Sequence, residues 1–215
     1  MTTTPDKTSP RFPPWARRGA VVAIGLAIAL AAIIYGLQTP STDRAGQSTV
    51  DGTEQATLGA KLLNPEEQRA SAPLFKMQTA SFGDGSVFDL EAQRGNIVVM
   101  FYMAGWCLSC IPEAQALARL HRESSSQGVT ILAIDMEPGE SESELASFRE
   151  QAGGGEHLWA VDREGVAIRS YQVQTLDTTV AIDRKGRVAY RDERITDYET
   201  LAAVVTALMS AETEK

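Results

Sequence analysis

Cys107 and Cys110 are the only cysteines in the 215-residue chain, and they stand in the stretch Trp106-Cys107-Leu108-Ser109-Cys110. Two thiols at this spacing can staple the chain, ligate a soft metal, or cycle between dithiol and disulfide. A staple would close so short a loop that it restrains little chain entropy. A zinc or copper centre would need more ligands, and His121 and His157 show no metal-ligand spacing. Reversible redox exchange fits best, because of what flanks the pair. Residues 96–103 are an apolar run rich in β-branched and aromatic side chains, the pattern of a strand covered on both faces. After the pair, Ala114, Leu117, Ala118 and His121 recur at helical spacing. Thiols at such a strand-to-helix junction meet the positive end of the helix dipole and unpaired N–H groups, both of which stabilise a thiolate.

The elements that must hold this junction can be read outward from it. Gly128 leads into a second buried strand over 129–134, ended by Asp135. Ser141 and Glu144 form a capping box that opens a helix carrying Leu145 and Phe148, closed by Gly153-Gly154-Gly155. Residues 157–161 read as a third strand and 164–171 as a short helix. Residues 178–182 and 187–190 flank a turn, and Thr196 with Glu199 suggests a capping box for a last helix striped by Leu201, Val204, Val205 and Leu208. Upstream, 74–79 and 86–88 flank Gly83-Asp84-Gly85 as a hairpin. The order β-α-β-α-β-α-β-β-α predicts an α/β fold, a mixed central sheet with helices on both faces.

Residues 19–37 carry no charge and, as a helix, would be about 28 Å long, the thickness of a bilayer core. Lys7, Arg11, Arg17 and Arg18 precede them against a single Asp6. This predicts a basic cytoplasmic tail over 1–18, a transmembrane signal anchor over 19–37, and an extracytoplasmic remainder in a single-pass cell-membrane protein. A cleaved signal peptide fits less well, because the apolar run is long and Tyr35 to Pro40 is a poor cleavage site. Residues 38–71, rich in Thr, Ser, Gln, Gly and Ala, predict a flexible tether before a domain over 72–215. With the tail at +3 and the whole chain at −8, the rest carries −11, which leaves no electrostatic footprint for nucleic acid.

Ala72-Pro73, Gly95 through Phe101, Trp106 through Glu113 and Thr178 through Gly186, in this order, resemble a thioredoxin-fold thiol:disulfide oxidoreductase of the TlpA/ResA type. The resemblance spans 72–211 and implies a redox-active Cys107–Cys110 disulfide that needs no cofactor. Cys107 would be the exposed nucleophile, and Cys110 would resolve the mixed disulfide. Trp106 would form part of the surface beside the nucleophile, and Glu113 would tune thiol pKa or accept a proton. The family's cis-proline, which presents backbone to the substrate, is replaced by Asp177, and the resemblance implies that Asp177 and the following Thr178 lie beside the substrate. A cis peptide there would cost about 2.5–4 kcal/mol, so the loop is expected to be trans. Asp177 is expected near Cys107, where its charge would raise the thiol pKa. Asp135 ends its strand at the same sheet edge. A peroxidase of related fold would carry Pro and Thr before its cysteine, where Met100 and Ala104 stand.

The resemblance implies a reductant of protein disulfides or dithiols, for example in cytochrome c maturation, recharged by a membrane electron carrier. The alternative from another class is a copper-binding chaperone or non-catalytic binding protein that uses the same cysteines, perhaps with Asp177 nearby. Turnover with a protein disulfide, lost in Cys107→Ser, marks the enzyme; Cu(I) retention without turnover marks the binder.

Overall fold

The computed structural model describes residues 52–83 and 85–211. The expected tail, signal anchor and first part of the tether therefore lie outside the described residues. Among the described residues, no helix is long and apolar enough to cross a membrane.

The strands are β1 (Lys76–Gln78), β2 (Val87–Asp89), β3 (Ile97–Met103), β4 (Val129–Asp135), β5 (Leu158–Val161), β6 (Thr178–Ile182) and β7 (Val188–Glu193). The α-helices are α1 (Gly52–Leu62), α2 (Ile111–Ser124), α3 (Glu142–Gln151), α4 (Val166–Tyr171) and α5 (Tyr198–Ser210). Five strands form one mixed sheet in the order β5-β4-β3-β6-β7, with β3, β4 and β5 parallel and β6 and β7 antiparallel. All seven residues of β3 are buried. A central strand is paired on both edges and covered on both faces, which is why its sequence is apolar without alternation.

The two-residue period of the strands divides the core in two. Ile97, Val99, Phe101 and Met103 face a cluster with Leu117 and Leu120 of α2, Leu145 and Phe148 of α3, and Leu201, Val204, Val205 and Leu208 of α5. Val98, Met100 and Tyr102 face the other, made by Phe75, Met77 and Phe88 of the β1–β2 hairpin and by Ala167 and Tyr171 of α4. Helices thus lie on both faces, but the second is covered mainly by the hairpin. Ala80 N–H donates to the Trp159 carbonyl at 2.7 Å, which joins the hairpin to the edge of β5.

Two expectations need correction. Residues 52–71 are not part of a flexible tether. α1 packs on α5 so closely that a Cβ at Gly59 would lie 1.8 Å from the Ala203 carbonyl oxygen. Leu62 and Leu63 reach the first core cluster. A glycine that reads as a helix breaker is here the contact that lets two backbones approach. The last helix is capped by Asp197, whose carboxylate accepts from Thr200 N–H at 2.8 Å, and not by Thr196. The backbone of Thr196 is engaged by another partner, Glu113.

Candidate redox site

β3 delivers the chain to the sheet edge at Met103, and Ala104 and Gly105 turn it into Trp106. Gly105 N–H donates to Asp135 Oδ2 at 3.0 Å, so the end of β4 anchors the loop that carries the cysteines. Asp135 also accepts from Glu137 N–H at 2.8 Å. A Cβ at Gly105 would meet the Glu140 carboxylate at 2.3 Å, so a larger residue here would have to push that side chain aside. Burial raises the pKa of both Asp135 and Glu140, helped by the like charge of Glu137 at the first and of Asp135 at the second.

Cys107 and Cys110 are joined as a disulfide. Cys107 N–H donates to the Ala104 carbonyl at 2.9 Å, and Cys110 N–H to that of Cys107 at 3.1 Å, so the pair spans a single 3-10 turn that runs into α2. Pro112 lies in the first turn of α2, where a missing N–H has no helical partner to lose, and the helix continues to Ser124. Cys107 is 4% exposed and Cys110 0%, so the nucleophile expected to be exposed shows only an edge of itself. Its neighbours carry the accessible surface: Trp106 is 64% exposed and Leu108 71%. Leu108 was not singled out from the sequence, since one apolar residue between two cysteines carries no pattern.

Asp177 stands opposite. Its backbone has φ 56°, a left-handed conformation that Asp tolerates better than most residues, and no peptide bond among the described residues is cis. One carboxylate oxygen of Asp177 and the two sulfurs all lie within 4.8 Å of one another. Ser109 bridges the groups, its Oγ 3.3 Å from Cys107 Sγ and 3.5 Å from Asp177 Oδ2. Asp177 Oδ1 is buried with no hydrogen-bond partner. Burial raises the carboxyl pKa, and the Ser109 hydroxyl opposes this.

Glu113 lies one helical turn past Cys110 and is fully buried. Thr179 Oγ1 donates to its Oε1 at 2.6 Å and Thr196 N–H to its Oε2 at 2.9 Å. Burial pushes its pKa up to about 8 despite these donors, so the group is largely neutral at pH 7. Helix α2, strand β6 and the loop before α5 thus meet at one carboxyl. Thr178, expected beside the substrate, is fully buried, and its hydroxyl donates to the Thr175 carbonyl at 2.7 Å. As the first residue of β6 it also pairs with Tyr102, so its side chain offers no surface to a partner.

His121 and His157 lie away from the cysteines, with ring centroids 6.1 Å apart. His157 packs on Trp159 at 4.6 Å, both its ring nitrogens lack partners, and burial pulls its pKa down to about 3. It is a core residue carried neutral.

The AhpC/TSA family pattern matches residues 69–191, more than half of the chain and the whole frame around the cysteines. The chain belongs to the AhpC/TSA family. Curated relatives include the "Thiol-disulfide oxidoreductase ResA" of Geobacillus thermodenitrificans, 30% identical over 105 residues, which cover 49% of this chain and 59% of the relative. The protein of that name from Bacillus subtilis is 27% identical over 119 residues, covering 55% and 63%. The chain thus spans less than two thirds of each. Among solved structures, a putative thiol:disulfide interchange protein DsbE from Chlorobium tepidum superposes with a TM-score of 0.57 at 23% identity, over 66% of this chain and 96% of that one. This likeness shows the thioredoxin-like fold, and with the ResA relatives it supports the resemblance to the TlpA/ResA type.

Proposed function

We propose that this chain is a thiol:disulfide oxidoreductase that exchanges disulfides with protein substrates through Cys107 and Cys110. The observation that carries the reading is the disulfide at the start of α2, its nucleophile edge framed by exposed Trp106 and Leu108. In the reduced state the Cys107 thiolate attacks a substrate sulfur, the substrate disulfide breaks, and a mixed disulfide forms. Cys110 loses its proton, attacks Cys107 Sγ and releases the substrate as a dithiol, which leaves the enzyme oxidised. Glu113, one turn from Cys110 and with a pKa pushed up to about 8, accepts that proton in its ionised form, the minor form at pH 7.

The direction we propose is reduction. A carboxylate beside the sulfurs disfavours a thiolate, so Asp177 destabilises the reduced pair and makes it a better electron donor. We place the domain outside the cytoplasmic membrane on a signal anchor over residues 19–37, with the N-terminus cytoplasmic, and recharged by a membrane electron carrier. Cytochrome c maturation, with its need for reduced apoprotein thiols, is a process such an enzyme would serve. The relatives named thiol-disulfide oxidoreductase support the chemistry, and the uncharged run supports the placement.

The test is a redox titration by thiol trapping in defined glutathione or dithiothreitol buffers. A potential at or below about −220 mV is expected, within the range of reducing thioredoxins and glutaredoxins. A value near about −120 mV would reverse the proposed direction.

A further inference from the structure

The geometry points to a second state of the same site: we propose that, once reduced, Cys107, Cys110 and Asp177 bind a single zinc ion. The inference rests on the proposed function only in that the pair must be reducible. The two sulfurs and one Asp177 oxygen already lie within 4.8 Å of one another. Tetrahedral zinc, with Zn–S near 2.3 Å and Zn–O near 2.0–2.2 Å, holds its ligand atoms about 3.6–3.8 Å apart. Reduction frees the sulfurs to open to that separation, and the carboxylate needs to close by only about 1 Å.

The carboxylate makes this more than a reactive dithiol. Asp177 Oδ1 is buried and unpartnered, and Oδ2 has only the Ser109 hydroxyl at 3.5 Å. A buried carboxylate oxygen without a partner is costly, and a cation relieves that cost. The loop that presents it is held by the Thr178 hydroxyl on the Thr175 carbonyl at 2.7 Å and by the pairing of β6 with β3.

The donor set also selects among metals. Cu(I) is soft and satisfied by thiolates, whereas Zn2+ takes sulfur and carboxylate oxygen together. Three protein ligands leave a fourth position for water or an incoming group. The step balances without electron transfer to the metal. A dithiol reductant first gives two electrons to the disulfide and is itself oxidised. Zinc then takes both thiolates, and two protons pass to solvent. Bound zinc would occupy the nucleophile, so binding and disulfide exchange exclude each other.

The experiment uses the full 215-residue chain, reduced with dithiothreitol and freed of reductant without oxygen. A thiol count comes first, then Zn2+ is titrated against a chromophoric chelator. The expected result is two titratable thiols, one zinc per chain, both thiols protected from alkylation by the metal, and no binding by the oxidised chain. Asp177→Asn, isosteric and with its fold checked by circular dichroism, should bind at least about tenfold more weakly while it still shows two thiols. Two reactive thiols without zinc binding would overturn this inference and leave the redox function standing, as would equal affinity in Asp177→Asn. A pair that cannot be reduced would overturn both.

Discussion

Replacing Asp177 by asparagine should lower the pKa of the reactive thiol. The carboxylate and the sulfurs lie within 4.8 Å. At that distance a unit negative charge opposes a forming thiolate by ~0.9 kcal/mol in bulk water and ~3.5 kcal/mol at an effective dielectric of about 20. With 1.36 kcal/mol for each pKa unit, the limits are ~0.6 and ~2.5 units. The Ser109 hydroxyl between the groups and the solvent-facing edge of Cys107 favour the lower half, so a fall of about one unit is expected. The sign follows from like charge: the carboxylate raises the thiol pKa, and its removal lowers it. The assay is thiolate ultraviolet absorbance of the reduced chain across the alkaline range, checked by the pH dependence of alkylation rate. A thiol pKa unmoved or raised in Asp177→Asn would refute the electrostatic argument.

The other predictions concern the frame of the site. Glu113 has a folded-state pKa raised from 4.5 to about 8, so its contribution to stability is fully present below about pH 4.5 and is lost as pH rises through about 8. Glu113→Gln, which keeps an acceptor for the Thr196 N–H, should flatten that slope in urea unfolding by a few kcal/mol between those pH values and should slow the resolving step. Gly105→Ala should push the Glu140 carboxylate aside at a cost of no more than about 1 kcal/mol in urea unfolding, with the disulfide exchange rate little changed. Gly59→Ala should separate α1 from α5 at a cost of about 1–3 kcal/mol or more, without changing the thiol pKa. His157, with its pKa pulled from 6.5 to about 3, contributes stability that is lost as pH falls through that window; His157→Leu should remove this acid-side slope in thermal unfolding.

What could be read from the sequence, and what could not, divides along physical lines. The unbroken apolar run at 96–103, the Ser141–Glu144 capping box and the turn at 183–186 are local signals that long-range packing reinforces, and each lies within a residue of where its pattern placed it. The cysteine pair announces its own chemistry. Residues 52–62 gave no such signal, because this helix buries few apolar side chains and owes its place to a backbone approach at Gly59. The Thr196 capping box failed for a related reason. A carboxylate far away in sequence, Glu113, engages the Thr196 N–H, and Asp197, one residue on, caps the helix. The sequence placed Asp135 at the sheet edge of Cys107 but not its anchoring contact with Gly105 N–H, and Ser109 was invisible as a site residue because what matters is that it meets Cys107 Sγ and Asp177. Thr178 was placed by resemblance at the substrate surface, whereas the register of β6 turns it inward.

The central claim is that Cys107 attacks and Cys110 resolves. The direct test is to mix reduced Cys110→Ser with a disulfide-bonded protein substrate, quench with acid and look for a covalent adduct by mass. The account predicts a one-to-one mixed disulfide through Cys107, released by dithiothreitol, and none with reduced Cys107→Ser. An adduct formed through Cys110 in Cys107→Ser, or the same slow background in both variants, would contradict it.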